Sequence, residues 1–180
     1  MDSLHLGVLT VSDRAKEGVY KDLSGPAIID WVKKSLQNLV KVDYILVNDE
    51  EKNIANALVN LCDKKNCALV LTTGGTGPAK RDVTPEATLS VATKVLDGFG
   101  EKMRSISLKY VPTAILSRQV GVIRNNSLII NLPGRPKAIG EILDELVLAI
   151  PYCIDLIGGP YLILNQDLGK AYRPNNNNNN

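Results

Sequence analysis

An α/β fold, three-layered, with a mainly parallel sheet, helices on both faces and a small β-hairpin extension, is predicted by three features of the 180-residue sequence. The first half alternates apolar runs of strand length with segments of helical period, and this alternation calls for parallel strands joined by right-handed crossovers. Each run is followed by a polar loop, and in such sheets those loops gather at the strand carboxyl ends, where ligands bind. Residues 69–87 compress an apolar strand, a glycine-rich turn, an acid and a helix start into one stretch, an order that builds anion sites.

Leu4–Val11 is apolar enough for a central strand, and Ser12-Asp13-Arg14 with Gly18 opens its loop. Ser24 is the expected cap of the next helix, in which Ala27, Ile28, Trp31, Val32, Ser35, Leu36 and Leu39 recur at three- and four-residue steps, sending Trp31 to the core. Residues 42–47 read as the second strand and Asn48-Asp49-Glu50 as its loop. Ile54, Ala57, Leu58, Leu61 and Cys62 mark another amphipathic helix. Residues 68–73 supply the third strand, and residues 85–94 the helix after the glycine turn. Gly98-Phe99-Gly100 breaks the pattern, leaving Met103, Ile106 and Tyr110 for a short helix before Pro112.

Gly121–Arg124 and residues 128–132 flank Asn125-Asn126 as a hairpin. The second of these strands runs into Leu132-Pro133-Gly134-Arg135-Pro136-Lys137, with Pro136 suited to a helix first turn. Ile139, Ile142, Leu143, Leu146 and Ile150 then form an apolar face until Pro151 kinks or ends the helix. Residues 161–173 read as an irregular tail. A single domain over 1–174 is expected, followed by a low-complexity asparagine tail at 175–180 with nothing apolar to bury.

Hydrophobic residues at 44% and charged residues at 22% are ordinary for a globular protein. Twenty-one Lys and Arg against 19 Asp and Glu leave a net charge of +2, too little for a nucleic-acid footprint. No basic n-region precedes the first apolar run, and no stretch is suited to a membrane, so a cytoplasmic protein is expected. The three cysteines, Cys62, Cys67 and Cys153, form no Cys-x-x-Cys pair and no zinc spacing. They read as reduced thiols, Cys62 as core. His5 is the only histidine, which leaves little room for His-based triads or zinc sites and assigns any chemistry to carboxylates, backbone amides and Lys or Arg.

In the glycine stretch, Gly74, Gly75 and Gly77 remove side chains that would hold a ligand away from backbone N–H groups, and successive free N–H groups form a nest for phosphate. Thr84 is placed to cap a helix with Pro85 in its first turn, adding a positive helix end to the same field. Asp82 lies between, where a carboxylate repels phosphate unless a metal ion bridges them. The segment therefore reads as a nucleotide or phosphoester site using Mg²⁺. It is neither a Walker P-loop nor a dinucleotide fingerprint, and a tight turn needs glycines for its own sake. Around Gly134, Arg135 and Lys137 read equally well as ligand donors or as surface charges on a strand-to-helix turn.

Four segments in order resemble the molybdopterin adenylyltransferases, single-domain bacterial-type members of the molybdenum cofactor biosynthesis family. They are Thr10-Val-Ser-Asp-Arg14, Thr72-Thr-Gly-Gly-Thr-Gly77 with Arg81-Asp-Val-Thr-Pro-Glu-Ala87, Pro112-Thr-Ala-Ile-Leu-Ser-Arg-Gln-Val120, and Leu132-Pro-Gly-Arg-Pro136. The resemblance implies an α/β fold, a homotrimer and a Mg²⁺-dependent reaction of ATP with molybdopterin that gives adenylyl-molybdopterin and pyrophosphate. It also raises a molybdate-inserting enzyme as a candidate partner. Carried over by position, the catalytic and metal-binding acids are Asp49 and Asp82. The substrate-binding set is Ser12, Asp13, Thr73, Gly74, Gly75, Thr76, Gly77, Pro133, Gly134 and Arg135. Arg135 departs from the family, which often has a smaller polar residue there. Lys80 and Arg81 are left open between phosphate contacts and solvated charges. A non-catalytic pterin carrier and a nucleotide pyrophosphatase are the alternative readings.

Overall fold

The computed structural model describes residues 3–174; the asparagine tail at 175–180 and the first two residues lie outside the described residues. Six strands, β1 (Leu4–Val11), β2 (Val40–Val47), β3 (Leu69–Thr73), β4 (Lys94–Val95), β5 (Gly121–Arg124) and β6 (Ser127–Leu132), form one sheet in the order β2-β1-β3-β6-β5-β4. The four strands β2, β1, β3 and β6 are parallel, and β5 and β4 close one side antiparallel. The expected hairpin thus belongs to the sheet itself. Its turn places Asn125 at φ +51°, a conformation asparagine tolerates better than most residues.

Pleating divides the apolar residues between two cores, because alternate side chains of a strand face opposite ways. Leu6 and Val8 of β1, Leu69 and Leu71 of β3, and Leu128 and Ile130 of β6 face one layer of helices. That layer holds α2 (Ser24–Ser35), α5 (Asp97–Leu108), α6 (Pro136–Leu146) and α7 (Ile150–Leu156). Leu9, Val70 and Ile129 face the other layer, α3 (Glu51–Val59) and α4 (Thr84–Ser90). Each fully buried Leu or Ile contributes about 2 kcal/mol, so the two helix layers are held by the same strands. The chain leaves β1 toward one face and β2 toward the other, which puts a topological switch point between β1 and β3.

Several boundaries differ from the sequence reading, each for a tertiary reason. The second strand begins at Val40, because pairing with β1 runs from Leu4 against Val40. The preceding helix ends at Ser35, where residues 163–165 bond back to it, and Leu39 is 72% exposed rather than on the core face. Trp31 is half-buried and its indole N–H donates to Asp144 Oδ1 at 2.7 Å. The helix after the glycine turn stops at Ser90, because Thr93 N–H bonds Ile123 O and Leu96 N–H bonds Gly121 O, drawing residues 94–95 into the sheet. Gly98-Phe99-Gly100 does not break a helix but lies within α5, since Gly100 packs against the Gln119 backbone and Met103 and Ile106 are fully buried. Pro151 falls in the first turn of a new helix, α7, as Pro136 does in α6. Cys62 is core, as expected, and burial pushes its thiol up to about 11.

Candidate active site at the strand carboxyl edge

The loops after β1, β2 and β3 converge as the topology requires. Ser12 caps the one-turn helix α1 (Asp13–Lys16), its Oγ accepting from Ala15 N–H at 3.2 Å and bonding Tyr20 Oη at 2.8 Å. The loops of β1 and β2 are stapled reciprocally: Asp13 N–H donates to Asp49 Oδ2 at 2.7 Å, and Asp49 N–H donates to Asp13 Oδ1 at 2.9 Å. Arg81 reaches across from the third loop, giving Nε and Nη2 to Asp13 and Nη1 to Glu50 at 2.8 Å. Asp13 is therefore engaged in positioning Asp49 and Arg81. Lys80 makes no ion pair among the described residues.

The glycine turn shows why its residues are small. Gly74 and Gly75 have φ of +96° and +62°, and a Cβ on Gly74 would lie 2.2 Å from Val11 O. A Cβ on Gly75 would meet Thr84 Oγ1 at 2.4 Å and Asp49 Oδ1 at 3.1 Å, and one on Gly77 would meet Asp82 Oδ2 at 2.8 Å. Both acids thus lie against the same turn. The backbone N–H groups of Gly75, Thr76 and Gly77 have no acceptor among the described residues, as an anion nest requires. Thr84 does not cap α4; its hydroxyl donates to Gly74 O at 2.9 Å and fixes the turn instead.

Each acid has one oxygen engaged and one free. Asp49 Oδ2 holds Asp13 N–H and Asp82 Oδ2 holds Ala79 N–H at 3.0 Å, while both Oδ1 atoms lack a hydrogen-bond partner among the described residues. Burial pushes the Asp49 carboxyl up, and the charges of Asp13 and Asp82 add to the rise despite the Asp13 N–H bond. A cation would relieve that repulsion. No group of three or more His, Cys, Asp or Glu among the described residues is arranged to hold a metal. An ion at Asp49 and Asp82 would therefore share its coordination with phosphate and water, a habit of Mg²⁺ and its hard oxygen ligands. The donor set fits that ion.

The Leu-Pro-Gly loop closes the other side. Thr73 Oγ1 donates to Pro133 O at 2.7 Å, Ser24 Oγ donates to Gly134 O at 2.8 Å, and a Cβ on Gly134 would lie 3.7 Å from the Gly74 Cα. Thr76, Gly77, Pro133, Gly134 and Arg135 line one cleft of about 630 Å³, together with Tyr110 and Lys137. Arg135 is exposed, and its guanidinium makes no hydrogen bond or ion pair among the described residues, while its carbonyl accepts from Ile139 N–H. A second cleft of about 660 Å³, lined by Phe99, Leu146, Tyr152 and Tyr172, is mainly apolar and shares none of these residues.

Two structural supports were not read from the sequence. Asp22, not Ser24, begins α2: its carboxylate accepts from Ser24 and Gly25 N–H, Thr10 Oγ1 and Tyr44 Oη. Burial raises the Asp22 carboxyl, but these four donors outweigh it and hold the group below the usual range. Burial and the neighbouring Asp22 push the Tyr44 phenol up to about 12. An Asp two residues before Ser-Gly is an Asx-turn signal. Arg118 is the other, and its partners lie 32 to 41 residues earlier in the chain, beyond any local signal.

A parallel α/β sheet with an amide nest and two acids at its switch point defines a class of phosphate-handling, nucleotide-type binding proteins. Residues 7–152 match the family model described as "Probable molybdopterin binding domain", and the chain belongs to that family of molybdenum cofactor biosynthesis proteins. It is 56% identical to the molybdopterin adenylyltransferase of Helicobacter pylori (strain J99) over 97% of this chain and 99% of that one. The identity is 48% to the molybdopterin adenylyltransferase of Escherichia coli (strain K12), over 97% and 95%. The crystal structure of the molybdopterin biosynthesis enzyme MoaB from Thermus thermophilus superposes with a TM-score of 0.80 at 38% identity, covering 88% of this chain and 99% of that one.

Proposed function

We propose that this chain is a Mg²⁺-dependent molybdopterin adenylyltransferase, transferring AMP from ATP to the terminal phosphate of molybdopterin with release of pyrophosphate. The observation that carries the reading is the approach of Asp49 and Asp82 to one turn whose Gly75, Thr76 and Gly77 N–H groups are free. The names of its full-length relatives support it.

In this reading a terminal phosphate oxygen of molybdopterin attacks the α-phosphorus of ATP, forming one P–O bond as the bond to the bridging oxygen breaks and pyrophosphate departs. A phosphate monoester is already largely ionised near neutral pH, its second pKa being about 6. No strong base is required, which suits a chain whose one histidine opens β1 at the far end from the loops. The protein's task is position and charge neutralisation. The amides of Gly75, Thr76 and Gly77 bind phosphate oxygens, and Asp49 and Asp82 hold Mg²⁺. When bound, that ion neutralises phosphate charge. The cleft of about 630 Å³ by Pro133, Gly134 and Arg135, which Thr76 and Gly77 of the same turn also line, is the place for the second substrate.

The reading extends to a cytoplasmic homotrimer working beside a molybdate-inserting partner enzyme, as the resemblance implies; light scattering of the purified protein tests the trimer. No helix among the described residues is long and apolar enough to cross a membrane. The reaction is tested by incubating purified protein with molybdopterin, ATP and Mg²⁺ and following adenylyl-molybdopterin by chromatography together with pyrophosphate. Pterin- and metal-dependent product supports transfer. Pterin binding without product supports a carrier, and free AMP without pterin supports a pyrophosphatase.

A further inference from the structure

Arg118 sits between a short 3₁₀ turn (Pro112–Leu116) and β5, within the 112–120 segment that carries part of the resemblance but to which no role was assigned. Its backbone N–H donates to Thr76 O at 2.9 Å. Its guanidinium gives Nε to Gly77 O at 2.8 Å and Nη2 to Asp82 O at 2.6 Å, and both terminal nitrogens meet the Glu86 carboxylate. One residue therefore bonds three carbonyls of the glycine loop, those of the adjacent Thr76 and Gly77 and that of Asp82.

The consequence follows from peptide geometry. In a trans peptide the carbonyl and the following N–H point in opposite directions. Binding the Thr76 carbonyl from one side aims the Gly77 N–H to the other, and binding the Asp82 carbonyl does the same for the Val83 N–H. Neither of these amides has an acceptor among the described residues. Without a donor on the carbonyl side, a loop with two glycines at positive φ could rotate its peptides and present oxygens to an anion, which repels it.

We propose that Arg118 is a positioning residue for phosphoryl binding: its backbone N–H holds the Thr76 carbonyl, and its guanidinium clamps the carbonyls of Gly77 and Asp82, so that the loop presents its amides and the Asp82 carboxylate to the nucleotide. This rests on the proposed adenylyltransferase reading. The guanidinium itself points at backbone and Glu86 and is not free for substrate. Lysine cannot substitute, because one ammonium lacks the planar fork that reaches Gly77, Asp82 and Glu86 together.

The test compares Arg118→Lys, Arg118→Ala and Glu86→Gln with wild type. Titration calorimetry with ATP and Mg²⁺, without pterin, measures nucleotide affinity independently of turnover. Adenylyl transfer is measured alongside, well below each variant's melting temperature. The expected result is ATP binding weakened at least tenfold in both Arg118 variants, and restored in part for Arg118→Ala by added guanidinium. Glu86→Gln, which keeps the carbonyl contacts, should bind ATP within about twofold of wild type. Wild-type ATP affinity in Arg118→Lys, or an equal loss in Glu86→Gln, would overturn the proposal. If Arg118→Ala does not fold, the other two variants still decide it. ATP binding by wild type without adenylylated pterin would count against the adenylyltransferase reading while leaving the clamp measurable.

Discussion

Gly77→Ala isolates the position of one acid from the stability of the fold. Gly77 has no positive φ, so alanine fits its backbone, and among the described residues, its chain neighbours aside, the only atoms within 4 Å of the added Cβ belong to the Asp82 carboxyl group. The nearest, Oδ2, would be 2.8 Å away, where ordinary contact begins near 3.4 Å. The carboxylate must therefore retreat by about 0.6 Å, a displacement of the size that costs a catalytic group tenfold to a hundredfold in rate. That retreat also strains the Asp82 bond to Ala79 N–H, worth about 1 kcal/mol. Replacing glycine lowers unfolded-state entropy and returns roughly 0.4–1 kcal/mol.

The two stability terms nearly cancel, and at about 2–4 °C per kcal/mol for a domain of this size the melting temperature should stay within ~3 °C of wild type. Initial rates of adenylyl-molybdopterin formation at saturating ATP, over a Mg²⁺ series, read the other effect. The expectation is a loss of ten- to a hundredfold with a raised Mg²⁺ requirement. A rate within twofold of wild type at every Mg²⁺ concentration would refute the reasoning, since the carboxylate cannot stay where it is. Gly74→Ala is the contrasting control: its Cβ would meet Val11 O at 2.2 Å from a left-handed backbone, so it should lose stability first.

Other outcomes follow from the same geometry. Because the Asp49 carboxyl is raised in the fold, its ionised form is strained, and the stability it contributes is lost as pH rises through the folded value. Asp49→Asn should therefore melt higher than wild type near neutral pH while adenylylation falls about a hundredfold. Asp22 is the opposite case, held low in the fold, so its contribution is present above the unfolded value near 3.9 and lost as pH falls through the folded one. Asp22→Ala should cost about 2–3 kcal/mol at pH 7, by leaving Thr10 and two amides unpaired, with the gap to wild type narrowing in melts below about pH 4. With Cys62 pushed up to about 11 and Cys67 to about 12 by burial, alkylation of these thiols near pH 8 should be at least about tenfold slower in folded than in unfolded protein, as mass spectrometry would count.

What could be read before folding was what is local. The strand and helix alternation carries the parallel sheet with helices on both faces, and the loops holding Asp49 and Asp82 meet because every parallel strand ends on the same edge. Helix ends were less legible: Ser24 and Thr84 have the right chemistry for caps, but their hydroxyls are taken by the Gly134 and Gly74 carbonyls through contacts set by the fold, and Asp22 opens α2 by a local Asx turn instead. The α5 start was hidden because two glycines argue against a helix until Gln119 packs on one of them. Asp13 resembled a ligand residue in sequence, yet its oxygens are used on Arg81 and the Asp49 amide, partners 68 and 36 residues away. Arg118 was hidden for the same reason.

These contacts share an electrostatic logic. Three carboxylates, Asp13, Asp49 and Asp82, gather where the proposed polyanionic substrate would bind, and of these only Asp13 has an ion-pair partner among the described residues, Arg81. The fold therefore holds Asp49 under repulsion that a metal–nucleotide complex would remove. Binding should then stabilise the protein by more than the contacts alone supply, because it also relieves that repulsion. Thermal melts with ATP and Mg²⁺ test this: the rise in melting temperature should be large for wild type and small for Asp49→Asn, whose free form has no such repulsion to lose. If both proteins rise equally, Asp49 lies outside the region that the metal and nucleotide neutralise.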